Sequence, residues 1–86
     1  MDLSYKTPEE LQAVLGERLR AMRLGRNLAQ RELAGKAGLS LRALINLEAG
    51  GGSTVESLVR VLKALDATGA IELLALGIGA IIGTGI

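Results

Sequence analysis

Apolar residues recur at steps of three and four along most of this chain, which is the spacing of amphipathic helices. The first stretch begins at Thr7-Pro8-Glu9-Glu10, where Thr7 can cap free amides, Pro8 suits a first turn and Glu10 completes a capping box. Its apolar stripe consists of Leu11, Val14, Leu15, Leu19 and Met22. The pattern predicts a helix from Pro8 to about residue 24.

Two short helices follow, separated by a turn that contains Gly38. The first covers about 29–37. The second covers about 41–49, with Ser40 as a good N-cap and three consecutive glycines after Ala49 to end it. The inner positions of the two helices are Leu33, Ala34, Ala37, Leu44 and Leu47. Helices joined by so short a turn cross steeply, and the second then protrudes from the domain.

A fourth and a fifth helix complete the pattern. Ser53-Thr54-Val55-Glu56 reads as a capping box that begins at Ser53, and the helix after it is predicted to end near Asp66. Its stripe consists of Val55, Leu58, Val59, Leu62 and Leu65. The fifth helix covers about 70–76. With no strand alternation before the tail, the predicted fold class is all-α: a compact five-helix domain over residues 1–76.

Residues 77–86, GIGAIIGTGI, form a predicted apolar, glycine-rich tail. The uncharged run 73–86 would reach about 21 Å as a helix against a hydrocarbon core of about 30 Å, so a membrane span is not expected. The alternative is an extended arm on a second subunit, which its β-branched residues favour. Because the first ten residues carry acids where a secretory leader has basic and apolar residues, a cytoplasmic protein is expected.

The composition excludes several function classes. The 86 residues contain neither Cys nor His, which removes disulfides, thiol nucleophiles, zinc-finger ligation and the commonest general base. We therefore expect no enzyme, no metal site, no cofactor and no small-molecule substrate. Tyr5 is the sole aromatic residue, so no stacking platform for unpaired bases can be built. Recognition of a nucleic-acid duplex survives this exclusion.

Positive charge is concentrated in one stretch of the chain. The formal net charge is +1, yet between residues 18 and 42 seven cations stand against Glu32 alone, a local net charge of +6. Such a cluster suits a phosphate backbone, and a solvated helix face would show it equally well. The spacing of motifs must decide between the two.

The segment Gln30–Gly50, QRELAGKAGLSLRALINLEAG, carries such a motif. It resembles the phage repressor and Cro/Xre-type helix-turn-helix family, whose pattern reads Gln-x-x-Leu-Ala-x-x-x-Gly-Val/Leu-Ser, then an apolar residue, then apolar-Glu-x-Gly. The matching residues are Gln30, Leu33, Ala34, Gly38, Leu39, Ser40, Leu44, Leu47, Glu48 and Gly50. The similarity covers about residues 14–66. It implies a lambda-repressor-like fold that binds double-stranded DNA.

The resemblance also implies roles for single residues. Gln30 would clamp a phosphate and brace the third helix, while Arg23 and Glu48 would form a structural ion pair. Arg42 would bond N7 and O6 of guanine, with about 1–3 kcal/mol of discrimination, and Asn46 would bond adenine or a phosphate. The expected DNA-binding residues are Arg26, Gln30, Ser40, Leu41, Arg42, Ala43, Asn46 and Gly51, of which Leu41 would touch a thymine methyl and Arg26 and Gly51 a phosphate.

Three residues depart from the family pattern. Ala29 stands where Ser or Thr usually caps the second helix, at a loss of about 1 kcal/mol. Gly35 lies inside that helix and costs roughly 0.5–1 kcal/mol relative to Ala. Ile45 occupies a position that commonly faces solvent or DNA, and with Leu41 it makes the third helix unusually apolar.

The sequence thus predicts a transcriptional regulator, a repressor that binds DNA as a two-fold dimer. The predicted dimer interface consists of Leu65–Leu76 together with the tail. Two alternatives stay open. One is the antitoxin of a toxin–antitoxin pair, with a toxin protein as partner. The other is an adaptor in which Leu41 and Ile45 face a protein or a membrane.

Overall fold

A computed structural model of the chain describes residues 2–76, and the predicted tail 77–86 lies outside them. Within the described residues the chain forms five α-helices and no strand, which confirms the predicted fold class. The helices are α1 (Pro8–Gly25), α2 (Gln30–Ala37), α3 (Leu41–Glu48), α4 (Val55–Ala64) and α5 (Gly69–Leu76). None of these five combines the length and apolar character that crossing a bilayer requires.

Side-chain hydroxyls cap the starts of α1 and α3. Thr7 Oγ1 accepts a hydrogen bond from the Glu10 N–H at 3.1 Å, and Glu10 Oε1 accepts one from the Thr7 N–H at 2.8 Å. The predicted capping box of α1 is therefore present. At α3, Ser40 Oγ accepts from the Ala43 N–H at 3.1 Å. Both caps satisfy amides that have no partner inside the helix.

The predicted capping box at Ser53 is wrong by one residue. Thr54 is the N-cap of α4, with extended backbone at φ −76° and ψ 157°, and its Oγ1 accepts from the Ser57 N–H at 3.0 Å. Glu56 therefore lies one position too early to reach back to the cap. It instead forms an exposed i,i+4 ion pair with Arg60 at 2.8 Å.

α2 begins without a capping hydroxyl and ends on a glycine. Ala29, its N-cap, has no side-chain oxygen, but Glu32 Oε1 accepts from the Ala29 N–H at 2.8 Å and supplies half of a capping box. Gly38 ends the helix in the left-handed region at φ +72°, which glycine adopts without a steric penalty. Both ends of α2 are thereby defined.

The core lies where α2 packs against α3 and α4 and where α1 packs against α3. Its buried apolar residues are Leu19, Leu33, Ala34, Ala37, Leu44, Leu47, Val61, Leu62 and Leu65. The predicted stripe of α4 is wrong in part: Val61 is fully buried, whereas Val55 is 78% exposed and Val59 is 39% exposed. In α1, Leu11 and Leu15 are also exposed. α4 thus turns a face centred near Val61 toward the core.

Glycine lets α1 lie directly against the end of α3. A Cβ atom on Gly16 would stand 2.5 Å from the carbonyl oxygen of Leu47 and 2.6 Å from that of Glu48. Just beyond α3, Gly50 has φ +82°, and a Cβ atom there would lie 2.8 Å from Ala13 Cα. The two backbones approach this closely only because no side chain intervenes.

Candidate nucleic-acid interface

α2, residues 38–40 and α3 form a helix-turn-helix. The turn is closed by a hydrogen bond from the Leu39 N–H to the Ala34 carbonyl oxygen at 2.9 Å. Ser40 then caps α3, as described above. Leu39 is half-buried against the core, which anchors the turn between the two helices. The geometry leaves one side of α3 packed and the other side free.

The side chains of α3 divide into two faces. Its buried side consists of Leu44, Leu47 and Glu48. Its outer face consists of Arg42, Ile45 and Asn46, all of them exposed. Arg42 and Asn46 are four residues apart and Ile45 lies three from Arg42, so the three are neighbours on the helix surface. Arg42 is the only exposed charged side chain on α3.

A buried ion pair holds the end of α3 to α1. Arg23 Nε donates to Glu48 Oε2 at 2.7 Å and Arg23 Nη2 donates to Glu48 Oε1 at 3.0 Å, a bidentate arrangement between side chains that are 7% and 3% exposed. The hydrogen bonds to Glu48 raise the pKa of Arg23 above its usual value, and the coulombic attraction acts in the same direction. Arg23 Nη1 also donates to the Leu28 carbonyl oxygen at 2.8 Å. Each of the three guanidinium nitrogens of Arg23 thus has a hydrogen-bond partner inside the protein.

Gln30 joins this network from the start of α2. Its Nε2 atom donates to Glu48 Oε1 at 3.1 Å. Glu48 therefore accepts hydrogen bonds from α1 and from α2 while belonging to α3. No buried side-chain nitrogen or oxygen among the described residues lacks a partner. The orientation of α3 is consequently set by three helices meeting at one carboxylate.

Asn46 is held by the loop that follows α3. Its Nδ2 atom donates to the carbonyl oxygens of Gly51 and Gly52 at 3.4 and 3.3 Å. The Gly51 N–H donates in turn to the Asn46 carbonyl oxygen at 2.9 Å. A phosphate contact by the Gly51 amide would have to compete with that bond. Sequence reasoning missed these contacts, although a run of three glycines is the signal of a loop able to fold so close to a side chain.

The remaining expected DNA-binding residues lie around α3 and at the end of α1. Leu41 and Ala43 are half-buried on the flanks of α3, and the Ser40 hydroxyl is occupied by capping. Arg26 is exposed, and its Nη1 atom donates to the Met22 carbonyl oxygen at 3.2 Å. Further exposed cations on α1 and α2 are Arg18, Arg20, Arg31 and Lys36. The structure therefore brings Arg23, Gln30 and Glu48 together and leaves Arg42 open to solvent.

Comparison with known proteins agrees with this architecture. A family model described as helix-turn-helix matches residues 19–72, which is more than half of the chain. The match includes α2, the turn, α3 and α4, together with Arg23 and Glu48. A search of curated proteins found no match.

Proposed function

The chain belongs to the Cro/C1-type helix-turn-helix family, whose members are DNA-binding regulators, and from this premise we propose that it is a sequence-specific repressor that inserts α3 into the major groove of duplex DNA. Membership confirms the family resemblance predicted from residues 14–66. The proposal goes further, because it assigns a groove, a set of contacts and an assembly.

The observation that carries the proposal is the outer face of α3. A major groove about 12 Å wide admits one helix, and only exposed side chains can then reach the base edges. Arg42 stands in the middle of this face, and its guanidinium can bond both N7 and O6 of guanine. The opposite side of α3 is fixed through Glu48, so the Arg42 side chain would approach DNA from a rigid support.

Contacts with the sugar–phosphate backbone would position α3 in the groove. We assign this role to Gln30 and Arg26, which lie near the start of α2 and at the end of α1. One N–H of Gln30 Nε2 would donate to a phosphate while the other stays bonded to Glu48 Oε1. Phosphate contacts set register without reading sequence. Loss of either side chain should therefore weaken binding to every duplex alike.

The experiment is selection of bound duplexes from a random pool, followed by titration with two variants. Arg42→Ala should relax preference at one base pair, at a cost of about 1–3 kcal/mol. Gln30→Ala should lower affinity evenly across sequences. For the wild-type protein, log K should fall with log salt at about −0.9 for each phosphate that a cation neutralises, and Gln30→Ala, which removes no charge, should leave that slope unchanged. A pool without enrichment, or an unchanged footprint for Arg42→Ala, would contradict the proposal.

A dimer is part of the proposal, and exposed apolar residues on α5 support it. Leu73 is 46% exposed and Leu74 is 89% exposed. In a two-fold dimer two copies of α3 would meet the major groove about 34 Å apart on a pseudo-palindromic site. Leu74→Glu should yield monomers in sedimentation, whereas Tyr5→Glu, at a residue 77% exposed, is the control that adds the same charge elsewhere.

The same α5 surface also favours a second candidate, an antitoxin that binds a toxin protein through Leu73 and Leu74. Expression together with the gene product encoded beside it distinguishes the two. A repressor dimer elutes with the mass of two chains, and an antitoxin elutes with its toxin bound. A persistent monomer that still binds a palindromic duplex would contradict both assemblies.

A further inference from the structure

Aliphatic side chains stand next to the one exposed cation of α3. Ile45 is 44% exposed on the outer face, three residues from Arg42. Leu41, four residues before Ile45, is half-buried on the same flank of the helix. A single exposed aliphatic residue on a protein surface is ordinary. Here it lies on the surface that the proposed function places against base pairs.

Little polar chemistry is left on this face to read bases. Both hydrogen-bonding directions of the Asn46 amide nitrogen lead to the carbonyl oxygens of the Gly51–Gly52 loop. Arg42 then remains as the one exposed side chain of α3 whose donors make no hydrogen bond within the described residues. Beyond the donors of Arg42 and the Oδ1 acceptor of Asn46, the exposed surface of α3 offers aliphatic contact to a base edge.

The major groove offers one apolar group to such a contact, which is the methyl group on C5 of a pyrimidine. We propose that Ile45, with Leu41 beside it, reads the C5 methyl group of a pyrimidine close to the guanine bound by Arg42. Thymine carries that group in ordinary DNA, and 5-methylcytosine carries it in modified DNA. This inference rests on the proposed function, because it requires α3 to lie in the major groove.

The spacing of the side chains sets which base is read. Residues three apart on a helix have Cβ atoms about 5–6 Å apart. Successive base pairs are about 3.4 Å apart along each strand. The methyl group contacted by Ile45 therefore belongs to a base within two steps of the guanine. Burial of one methyl group corresponds to about a fourfold change in affinity.

The test begins with the duplex selected from the random pool. The guanine is located as the position where Arg42→Ala relaxes preference. Each thymine within two steps of it is then replaced by uracil, which removes only the methyl group. In a second arm, each cytosine in that window is replaced by 5-methylcytosine. Wild-type protein should lose about fourfold in affinity with uracil at one position, or gain about fourfold with 5-methylcytosine at one position.

Variants assign the methyl effect to Ile45. Ile45→Ala should reduce the effect to less than about twofold, and Ile45→Val should keep part of it, because valine retains a branched aliphatic surface. Leu24→Ala is the matched control, since Leu24 is a 48% exposed aliphatic side chain on α1, and it should leave the methyl effect intact. Thermal unfolding shows that each variant is folded.

The outcomes separate the two proposals. If no duplex is selected, the proposed function fails and the inference fails with it. If a duplex is selected but methyl removal and methyl addition change affinity by less than about twofold throughout the window, only the inference is overturned. An Ile45→Ala variant with an unchanged methyl effect also overturns the inference. So does an Ile45→Ala variant that binds DNA with wild-type affinity but no longer binds a protein partner.

Discussion

The close approach of α1 to α3 gives a stability prediction for Gly16→Ala. The new Cβ atom would meet the carbonyl oxygens of Leu47 and Glu48 at 2.5 and 2.6 Å, where ordinary contact begins at 3.4 Å. All of these neighbours are backbone atoms, so no side chain can rotate away. α1 and α3 would have to separate by almost 1 Å.

Two opposing effects set the magnitude. Alanine is better than glycine inside a helix by about 1 kcal/mol, which stabilises the variant. Overpacking of a well-packed contact typically costs about 1–3 kcal/mol, and the upper part of that range applies because the clash is with backbone. The net effect is a decrease in the free energy of unfolding of about 1–2 kcal/mol. For a domain of this size each kcal/mol lowers Tm by about 4–8 °C.

Gly35→Ala is the matched control, because it makes the same change inside a helix with no atom within 4 Å of the new Cβ. It should raise the free energy of unfolding by about 1 kcal/mol. Urea unfolding followed by circular dichroism measures both variants, and their difference isolates the packing cost. A Gly16→Ala protein that gains as much stability as Gly35→Ala would refute the close approach.

Three further predictions concern the ion pair and the caps. Glu48→Leu leaves Arg23 buried without its carboxylate and should cost about 3–5 kcal/mol in urea unfolding, most of it regained when Arg23→Leu is added. Thr54→Ala should lower the free energy of unfolding by about 1 kcal/mol, seen as a lower Tm, whereas Ser53→Ala should leave the Tm unchanged. The Glu10 carboxylate accepts a hydrogen bond from the backbone N–H at the N-cap of α1, which lowers its pKa. The stabilising effect of this hydrogen bond is present above the usual glutamate pKa and is lost as the pH falls through the lowered pKa of Glu10 in the folded protein. NMR titration of the folded protein should show a Glu10 pKa below the usual glutamate value.

Most of the fold could be predicted from the chain because its signals are local. Caps, glycines and apolar spacing placed every helix end within two residues of the observed one. The error at α4 has a physical cause: Ser53 and Thr54 are both good N-caps, and the local sequence does not show which of the two starts the helix. The position of α4 against α2 is a tertiary property that no local pattern contains.

The candidate site was predictable only in part. The family pattern drew attention to Gln30, Arg42 and Glu48 by their spacing. It did not show that the Asn46 amide folds back on the glycine loop, since that depends on the path of residues 50–52. Nor did it reveal the role of Gly16. From the sequence alone a glycine inside a helix is expected only to destabilise that helix, and its close contact with the backbone of α3 is a tertiary property.

The anchoring of α3 through Glu48 has a consequence for engineering. The groups that fix the orientation of the helix include Leu44, Leu47 and Glu48 on its inward side, so Arg42 and Ile45 can be exchanged without disturbing the support, whereas Asn46 also holds the loop after α3. A library randomised at Arg42 and Ile45 should retain cooperative unfolding in most of its members. The scaffold is then a template on which the outer face of α3 can be changed independently of folding.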